Sequence, residues 1–274
     1  MSATARDHDP AAELLTRARE RLRAAGVENA RREAQLLLDH VRSDAGAGQN
    51  YAALVARRAA REPMSHILGR REFWSLDFRV SRAVLDPRPD SECLIEAALA
   101  EIPVREAALD LLDLGTGSGC LLLALLTELP RATGRGVDRS RQALDVAKAN
   151  ADALGLTERV AFMPGDWGRG IAARFDIVLC NPPYVPSAEI AHLMPEVARH
   201  EPRLALDGGA DGLACYRRMA PELERLLRPG GFVAIEIGHG QAVPVTTILR
   251  QAGLRVFRRR RDLASRVRCL LAHP

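Results

Sequence analysis

The stretch Asp113-Leu114-Gly115-Thr116-Gly117-Ser118-Gly119 decides the fold. It closes a short apolar run, residues 109–114, and opens a second apolar run that reaches Leu129. Glycines at alternate positions allow a tight strand-to-helix turn and let a ligand approach the backbone. Downstream, the pattern keeps switching period. Strands are predicted over 133–137, 159–163, 175–180 and 232–237, with helices over 141–154, 216–227 and 245–252. Segments 254–257 and 267–271 read as a closing hairpin. Such alternation predicts a doubly wound α/β domain with a mostly parallel sheet.

Upstream, the chain changes character. Leu14, Leu15, Ala18, Leu22 and Ala25 recur at helical spacing and stop at Gly26. Ala34, Leu37, Leu38 and Val41 repeat the pattern before a Gly46-Ala47-Gly48 break. A third helix starts at Tyr51, and a fourth runs from Met64 to Leu68 and ends at Gly69. Residues 73–80 alternate like a strand, with Val84-Leu85 as the expected hairpin partner. Pro87-Arg88-Pro89 stiffens a linker, and Ser91 is placed to cap a helix reaching Ala100. The division expected is therefore a helical domain over 1–71, a β-hairpin linker over 72–90 and an α/β domain over 91–274.

Composition narrows the class. The chain has 274 residues, 47% hydrophobic and 27% charged, as in a globular protein. Its most apolar stretch, 120–126, is far too short for a membrane span. Residues 1–7 lack the apolar core of a secretory signal, so a cytoplasmic location is expected. Lys148 is the sole lysine among 39 basic residues. A net charge of +4 permits contact with acidic surfaces without requiring it, and the run Arg258-Arg259-Arg260-Arg261 reads as a solvated strand end or turn. The five cysteines form no C-x-x-C, and no H-E-x-x-H occurs, so neither a disulfide framework nor a metal is expected.

Three ligands compete for the glycine turn. A phosphate loop needs a lysine that is missing here, and a dinucleotide fingerprint needs glycine where Cys120 stands. G-x-G-x-G preceded by an acid, Asp113, fits S-adenosylmethionine. Asp138, at the end of the second strand, suits a carboxylate accepting from both ribose hydroxyls. Beyond the third strand, Asp166 is a candidate for the adenine amino group and Trp167 for the adenine ring.

Asn181-Pro182-Pro183-Tyr184 follows the fourth strand, at the carboxyl end where open sheets bind ligands. Its two prolines fix φ and remove two amide donors. The Pro182 carbonyl and the Asn181 side-chain oxygen can then converge as acceptors on one planar NH₂ group, with Tyr184 packed against it. An amide nitrogen is a poor nucleophile because its lone pair is delocalised. Two acceptors on its N–H bonds favour the positive charge that develops during transfer. The same acceptors would serve a base amino group extruded against Tyr184, and a cofactor-binding protein without activity is a third reading.

Together these motifs resemble the amino-methyltransferases. Gly69-Arg70-Arg71-Glu72-Phe73-Trp74-Ser75-Leu76 and Leu85-Asp86-Pro87-Arg88-Pro89-Asp90-Ser91-Glu92 resemble, more narrowly, the peptide chain release factor glutamine methyltransferases (the HemK/PrmC family). Glu201-Pro202, Gly208-Gly209, Asp211-Gly212, Glu236-Ile237-Gly238 with Gln241, and Asp262-Leu263-Ala264 with Arg266 extend the likeness. The resemblance implies a class I S-adenosylmethionine methyltransferase fold, Rossmann-like, with a mostly parallel seven-stranded sheet. It implies methylation of the glutamine in the Gly-Gly-Gln loop of class I release factors, in a monomer with no stable nucleic-acid partner. By position it assigns Gly115, Thr116, Gly117, Ser118, Gly119, Asp138, Trp167 and Asn181 to the cofactor. Asn181, Pro182, Pro183 and Tyr184 hold the glutamine, Phe73 and Arg88 lie near the cleft, and the helical domain meets the release factor. Asp86 departs from the family's usual aliphatic residue, and His66 from a common aromatic.

Overall fold

The computed structural model describes residues 10–43, 46, 48–262 and 264–274. The reading of residues 1–7, Ala47 of the glycine break and Leu263 of the tail motif lie outside the described residues. The chain forms two compact units.

The helical unit runs to Gly69 and includes Met194–His200. Its helices are α1 (Pro10–Ala24), α2 (Ala30–Arg42), α3 (Tyr51–Ala59) and α4 (Met64–Leu68). Leu22, Leu37, Leu54, Val55 and Ile67 form its core, so the helical periodicity reports burial. Asn50 caps α3 by accepting from the Ala53 amide at 3.1 Å. Gly69 ends α4 in the left-handed conformation, φ 71°. The segment Met194–His200 is tied in by charge. Glu196 accepts from Arg58 at 2.9 Å and from both ends of the Arg61 fork at 2.6 and 2.7 Å.

The second unit comprises Arg70–Leu193 and Glu201–Pro274. Its first element is the hairpin of β1 (Arg70–Phe73) and β2 (Leu76–Arg79), followed by α5 (Glu92–Ala100). Then come β3 (Asp110–Leu114), α6 (Cys120–Glu128), β4 (Thr133–Asp138), α7 (Arg141–Ala153), β5 (Val160–Pro164) and β6 (Phe175–Cys180). A short helix, α8 (Pro195–His200), belongs to the helical unit. The series ends with α9 (Ala214–Leu226), β7 (Leu227–Glu236), α10 (Ala242–Gln251), β8 (Arg255–Arg261) and β9 (Val267–His273). The seven-stranded sheet has the order β5-β4-β3-β6-β7-β9-β8. β9 runs antiparallel to both neighbours, and the other pairs are parallel.

Central strands are apolar on both faces because both are covered. In β3 and β6, Leu111, Ile177 and Leu179 face the cluster containing α5 and α6. Leu112, Leu114, Val178 and Cys180 face the cluster containing α9 and α10. Each fully buried leucine contributes roughly 1.5–3 kcal/mol. Among the described residues no helix is long and apolar enough to cross a membrane. The arginine run forms most of β8, an edge strand with largely exposed residues.

The hairpin differs from the expectation. Residues 73–80 are not one strand, and Val84-Leu85 does not pair with them. Trp74 and Ser75, with φ of 54° and 56°, form a two-residue turn between Phe73 and Leu76. A single strand would send Phe73 and Phe78 to opposite faces. The turn puts both inside, edge to face at 6.2 Å. Ser91 is also reassigned. It lies in a 3₁₀ turn, Pro89–Ser91, before α5 and makes no side-chain cap.

Left-handed φ costs an L-residue roughly 1–2 kcal/mol. Ser75→Gly is therefore expected to stabilise this unit by about 1 kcal/mol, seen as a rise of about 2 °C in its melting temperature by calorimetry. An unchanged or lowered transition would contradict the assignment of strain to the turn.

Candidate active site

The site follows from one register. Leu114 of β3 and Cys180 of β6 are Cα partners. The glycine turn and Asn181-Pro182-Pro183-Tyr184 therefore leave the sheet side by side. From β3 the chain winds one way to β4 and β5, and from β6 the other way to β7. The two loops flank the point where strand order reverses, the place where open α/β sheets bind ligands.

The turn is held by backbone bonds. The Gly115 and Thr116 amides both donate to the Val137 carbonyl, at 2.8 and 3.0 Å. Gly115, Gly117 and Gly119 have φ of 76°, 55° and 80°, a conformation glycine adopts without steric cost. Asp138 fixes the tip. Its Oδ2 accepts from the Gly117 amide at 2.9 Å and its Oδ1 from the Ser140 amide at 2.8 Å. Capping of α7 falls to Ser140, which accepts from Ala143 at 3.2 Å. Asn150, 1% exposed, is a support that sequence reading missed. Its amide donates to the carbonyls of Ser118 and Arg79, at 2.8 and 3.1 Å, and its oxygen accepts from the Arg79 amide at 2.7 Å. One side chain thus joins the turn to the hairpin.

A cavity of about 410 Å³ opens against these loops. Gly115, Thr116, Gly117, Ser118, Asp138, Trp167, Asn181, Pro183 and Arg88 line it, as do Ser91, expected only as a helix cap, and Arg139, Cys215 and Arg218, which the sequence did not single out. A Cβ on Gly115 would stand 3.6 Å from the Trp167 ring, so the indole lies over the bare turn. Asn181 donates its amide nitrogen to Ser91 Oγ at 3.2 Å. Among the described residues, its Oδ1 has no donor.

Other expected residues stand behind the wall. Asp113 is 1% exposed and accepts from the Thr116 hydroxyl at 2.6 Å, bracing the turn from beneath. Burial pushes its carboxyl up to about 7, with Asp138 adding to the rise. Gly119 starts α6. Pro182 is buried. Asp166 pairs with Arg218 at 2.6 Å, between the cavity-lining Gly165 and Trp167. Phe73 is a core residue, 1% exposed, not a cleft residue. Tyr184 does not line the cavity either. Its hydroxyl donates to Glu236 Oε1 at 3.1 Å, which fixes the ring at the end of the loop.

The Asp86 departure has a local account. Asp86 is 5% exposed, with Arg88 and Arg71 at 3.8 and 3.9 Å from its Oδ2. Arg88 also donates to Glu201 Oε1 at 2.6 Å. Two carboxylates share this guanidinium on the cavity wall. Glu201 is raised by burial and by Asp86, while Arg88 opposes the rise.

The distant motifs converge on the reactive loop. Gln241 donates to the carbonyls of Tyr184 and Gly212, at 3.0 and 3.2 Å. Its oxygen accepts from the Gly238 amide at 2.9 Å. A Cβ on Gly212 would lie 2.4 Å from the Tyr184 carbonyl oxygen, so only glycine allows that approach.

Comparison with known proteins gives the family and the fold. Residues 105–250 match the methyltransferase domain family, and residues 13–43 match the PrmC N-terminal domain. A release factor glutamine methyltransferase of Rhodospirillum rubrum is 48% identical, over 94% of this chain and 83% of that protein. One from Caulobacter vibrioides is 44% identical, over 93% of each chain. One from Moorella thermoacetica is 42% identical, over 95% of this chain and 97% of that protein. The solved structure of a ribosomal protein L11 methylase from Lactobacillus delbrueckii subsp. bulgaricus shares the fold, with TM-score 0.53 and 18% identity. It aligns over 71% of this chain and 83% of its own.

The buried Asp113 makes a pH prediction. Its carboxyl moves from the ordinary 3.8 to about 7 on folding. Between those values the folded chain holds a proton that the unfolded chain has lost. Stability therefore falls as pH rises through this window and levels off above it. Asp113→Asn removes that contribution, so the stability difference between pH 5.5 and pH 8 shrinks by about 2 kcal/mol in urea unfolding. Equal pH slopes in parent and variant would refute the raised value.

Proposed function

The chain belongs to the release factor glutamine methyltransferase family, and we propose that its target is the Gly-Gly-Gln glutamine of class I peptide chain release factors, methylated on the side-chain nitrogen. It is an S-adenosylmethionine-dependent protein glutamine methyltransferase. The observation that carries the finer reading is Asn181. Its nitrogen is occupied by Ser91, which leaves Oδ1 as an acceptor beside the glycine turn.

The cavity suits the cofactor. Gly115 and Gly117 admit close backbone approach, Asp138 supplies a carboxylate for the ribose hydroxyls and Trp167 a flat wall for the adenine. When bound, the cofactor supplies an electrophilic methyl group on a sulfonium. The protein's part is orientation. Asn181 Oδ1 and the Pro182 carbonyl accept the two N–H bonds of the glutamine amide and hold its nitrogen in line with that methyl group. As the bond forms, nitrogen gains positive charge, and fixed acceptors stabilise it without reorganising. The proton leaves afterwards to water, so the transfer step needs no strong base. Arg88, held by Glu201, is proposed to meet the incoming loop. The helical unit, with no catalytic constellation of its own, is proposed to dock the release factor. We place the reaction in the cytoplasm, by a monomer without a stable nucleic-acid partner.

Incubation with methyl-labelled cofactor and purified class I release factor is expected to put label on the Gly-Gly-Gln glutamine, as read by peptide mass spectrometry. Asn181→Ala is expected to slow transfer roughly 100-fold to 1,000-fold, with cofactor affinity retained in calorimetry. Label on nucleic acid, or an Asn181→Ala variant at the parental rate, would overturn the reading.

A further inference from the structure

Trp167 has φ of 54°, in the left-handed region. Glycine reaches that region freely and asparagine with help from its side chain, but an indole gains nothing there. A bulky residue stays left-handed only where its surroundings over-determine it, and such residues gather at ligand sites. The hold comes from α9. Arg225 donates one terminal nitrogen to the Gly168 carbonyl at 2.6 Å and the other to the Ile171 carbonyl. Glu222 accepts from Arg225 Nε at 3.0 Å, which aims the fork at the loop. Gly168 is pressed on the same helix: a Cβ there would lie 2.5 Å from Leu226 Cδ1 and 3.1 Å from Glu222 Cβ. Arg218, two helical turns before Arg225 and so on the same face, takes the Asp166 carboxylate at 2.6 Å. Both chain neighbours of Trp167 are thus tied to one helix, while its indole reaches across to the glycine turn, 3.6 Å from a Cβ placed on Gly115.

We propose that Arg225 is a positioning residue for the cofactor: by tying down Gly168 and Ile171 it keeps Trp167 left-handed and its ring over the glycine turn. The inference rests on the adenine-wall role proposed above for Trp167. Arg225 does not itself line the cavity, so its effect on a ligand must pass through the loop. The loop's own turn bonds, Arg169 to Asp166 and Ile171 to Gly168, are both 3.2 Å, at the long end for an amide donor. The Arg225 contact to Gly168 is charge-assisted and shorter, the stronger kind. A lysine lacks the planar fork that spans two carbonyls. Without the fork, the strain at Trp167 is relieved by a return to negative φ, which swings the indole off Gly115.

The probe is S-adenosylhomocysteine, and titration calorimetry on the full chain reads its dissociation constant. If release leaves the indole over the turn about a tenth of the time, Arg225→Ala raises that constant about 10-fold. Trp167→Gly removes the ring and the strain together, and is expected to weaken binding on the order of 10-fold to 100-fold. Adding Arg225→Ala to Trp167→Gly is expected to cost nothing further, because the clamp then has no ring to place. Should Arg225→Ala fold poorly, Arg225→Lys, which keeps the charge and loses the fork, takes its place in the same cycle. Parental affinity in the Arg225 variant, with Trp167→Gly weakened, would overturn this proposal alone. A loss from the Arg225 variant that persists in the Trp167→Gly background would overturn it too, because the role would then be structural. Parental affinity in Trp167→Gly would overturn the adenine-wall reading beneath it.

Discussion

The parallel pairing of β3 with β6 is the constraint on which the site depends. Because Leu114 and Cys180 are register partners, the glycine turn and the Asn-Pro-Pro-Tyr loop emerge next to each other. A slip of one residue would send the apolar side chains of β6 to the wrong faces and move Asn181 relative to the turn. Burial on both faces enforces the register. Leu111, Ile177 and Leu179 go to one layer, and Leu112, Leu114, Val178 and Cys180 to the other. The hydrophobic pattern that makes the sheet therefore also sets where an amide can lie against the cofactor turn.

Around that pair stands a layer of polar side chains that bind the two loops. Asn150 ties the turn to the hairpin, Asp113 braces Thr116, and Gln241 holds the Tyr184 carbonyl. Asn150 and Gln241 satisfy backbone groups that irregular loops leave unpaired, and Asp113 takes the Thr116 hydroxyl. Loops with few regular hydrogen bonds can be rigid only if side chains supply them. This is why the residues around Gly212, Glu236 and Gln241 lie so far apart in sequence yet meet at one loop.

Sequence patterning reached much of this, and its limits are physical. Strands buried on both faces are continuous apolar runs, so β3 and β6 were legible to within a residue. So were the turn between β3 and α6 and the proline-rich loop after β6, whose residue types admit few conformations. The hairpin was not legible, because a tight turn at Trp74-Ser75 changes which residues share a face without leaving a glycine or asparagine to mark it. Phe73 was placed near the cleft by resemblance, and the turn sends it into the core instead. Asp166 sits where an adenine contact is plausible, but nothing local reveals that Arg218, on α9, claims its carboxylate. Ser91 reads as a helix cap by type and position. Its hydrogen-bond partner in the structure, Asn181, follows the end of β6. Pairings across such distances are set by topology, and the motifs that depend on them could be recognised in the sequence only by resemblance.

The electrostatics of one strand separate structure from function. Asp110 begins β3, half exposed, paired with Arg228 and accepting from Thr133, and its carboxyl lies below the ordinary range, chiefly through the Thr133 hydrogen bond. Asp113, three residues on, is buried, has one oxygen without a partner, and is raised to about 7. Glu201 and Glu236, raised by burial as well, stand behind the same end of the sheet through Arg88 and Tyr184. Stability alone would favour arrangements like that of Asp110, where water and an arginine share the charge. Buried carboxylates that work against stability gather instead behind the glycine turn and the Asn-Pro-Pro-Tyr loop. Their value lies in direction. A carboxylate in a low-dielectric setting dictates the orientation of every hydroxyl and amide it touches, and the transfer of a methyl group to a weakly nucleophilic nitrogen requires that control of orientation.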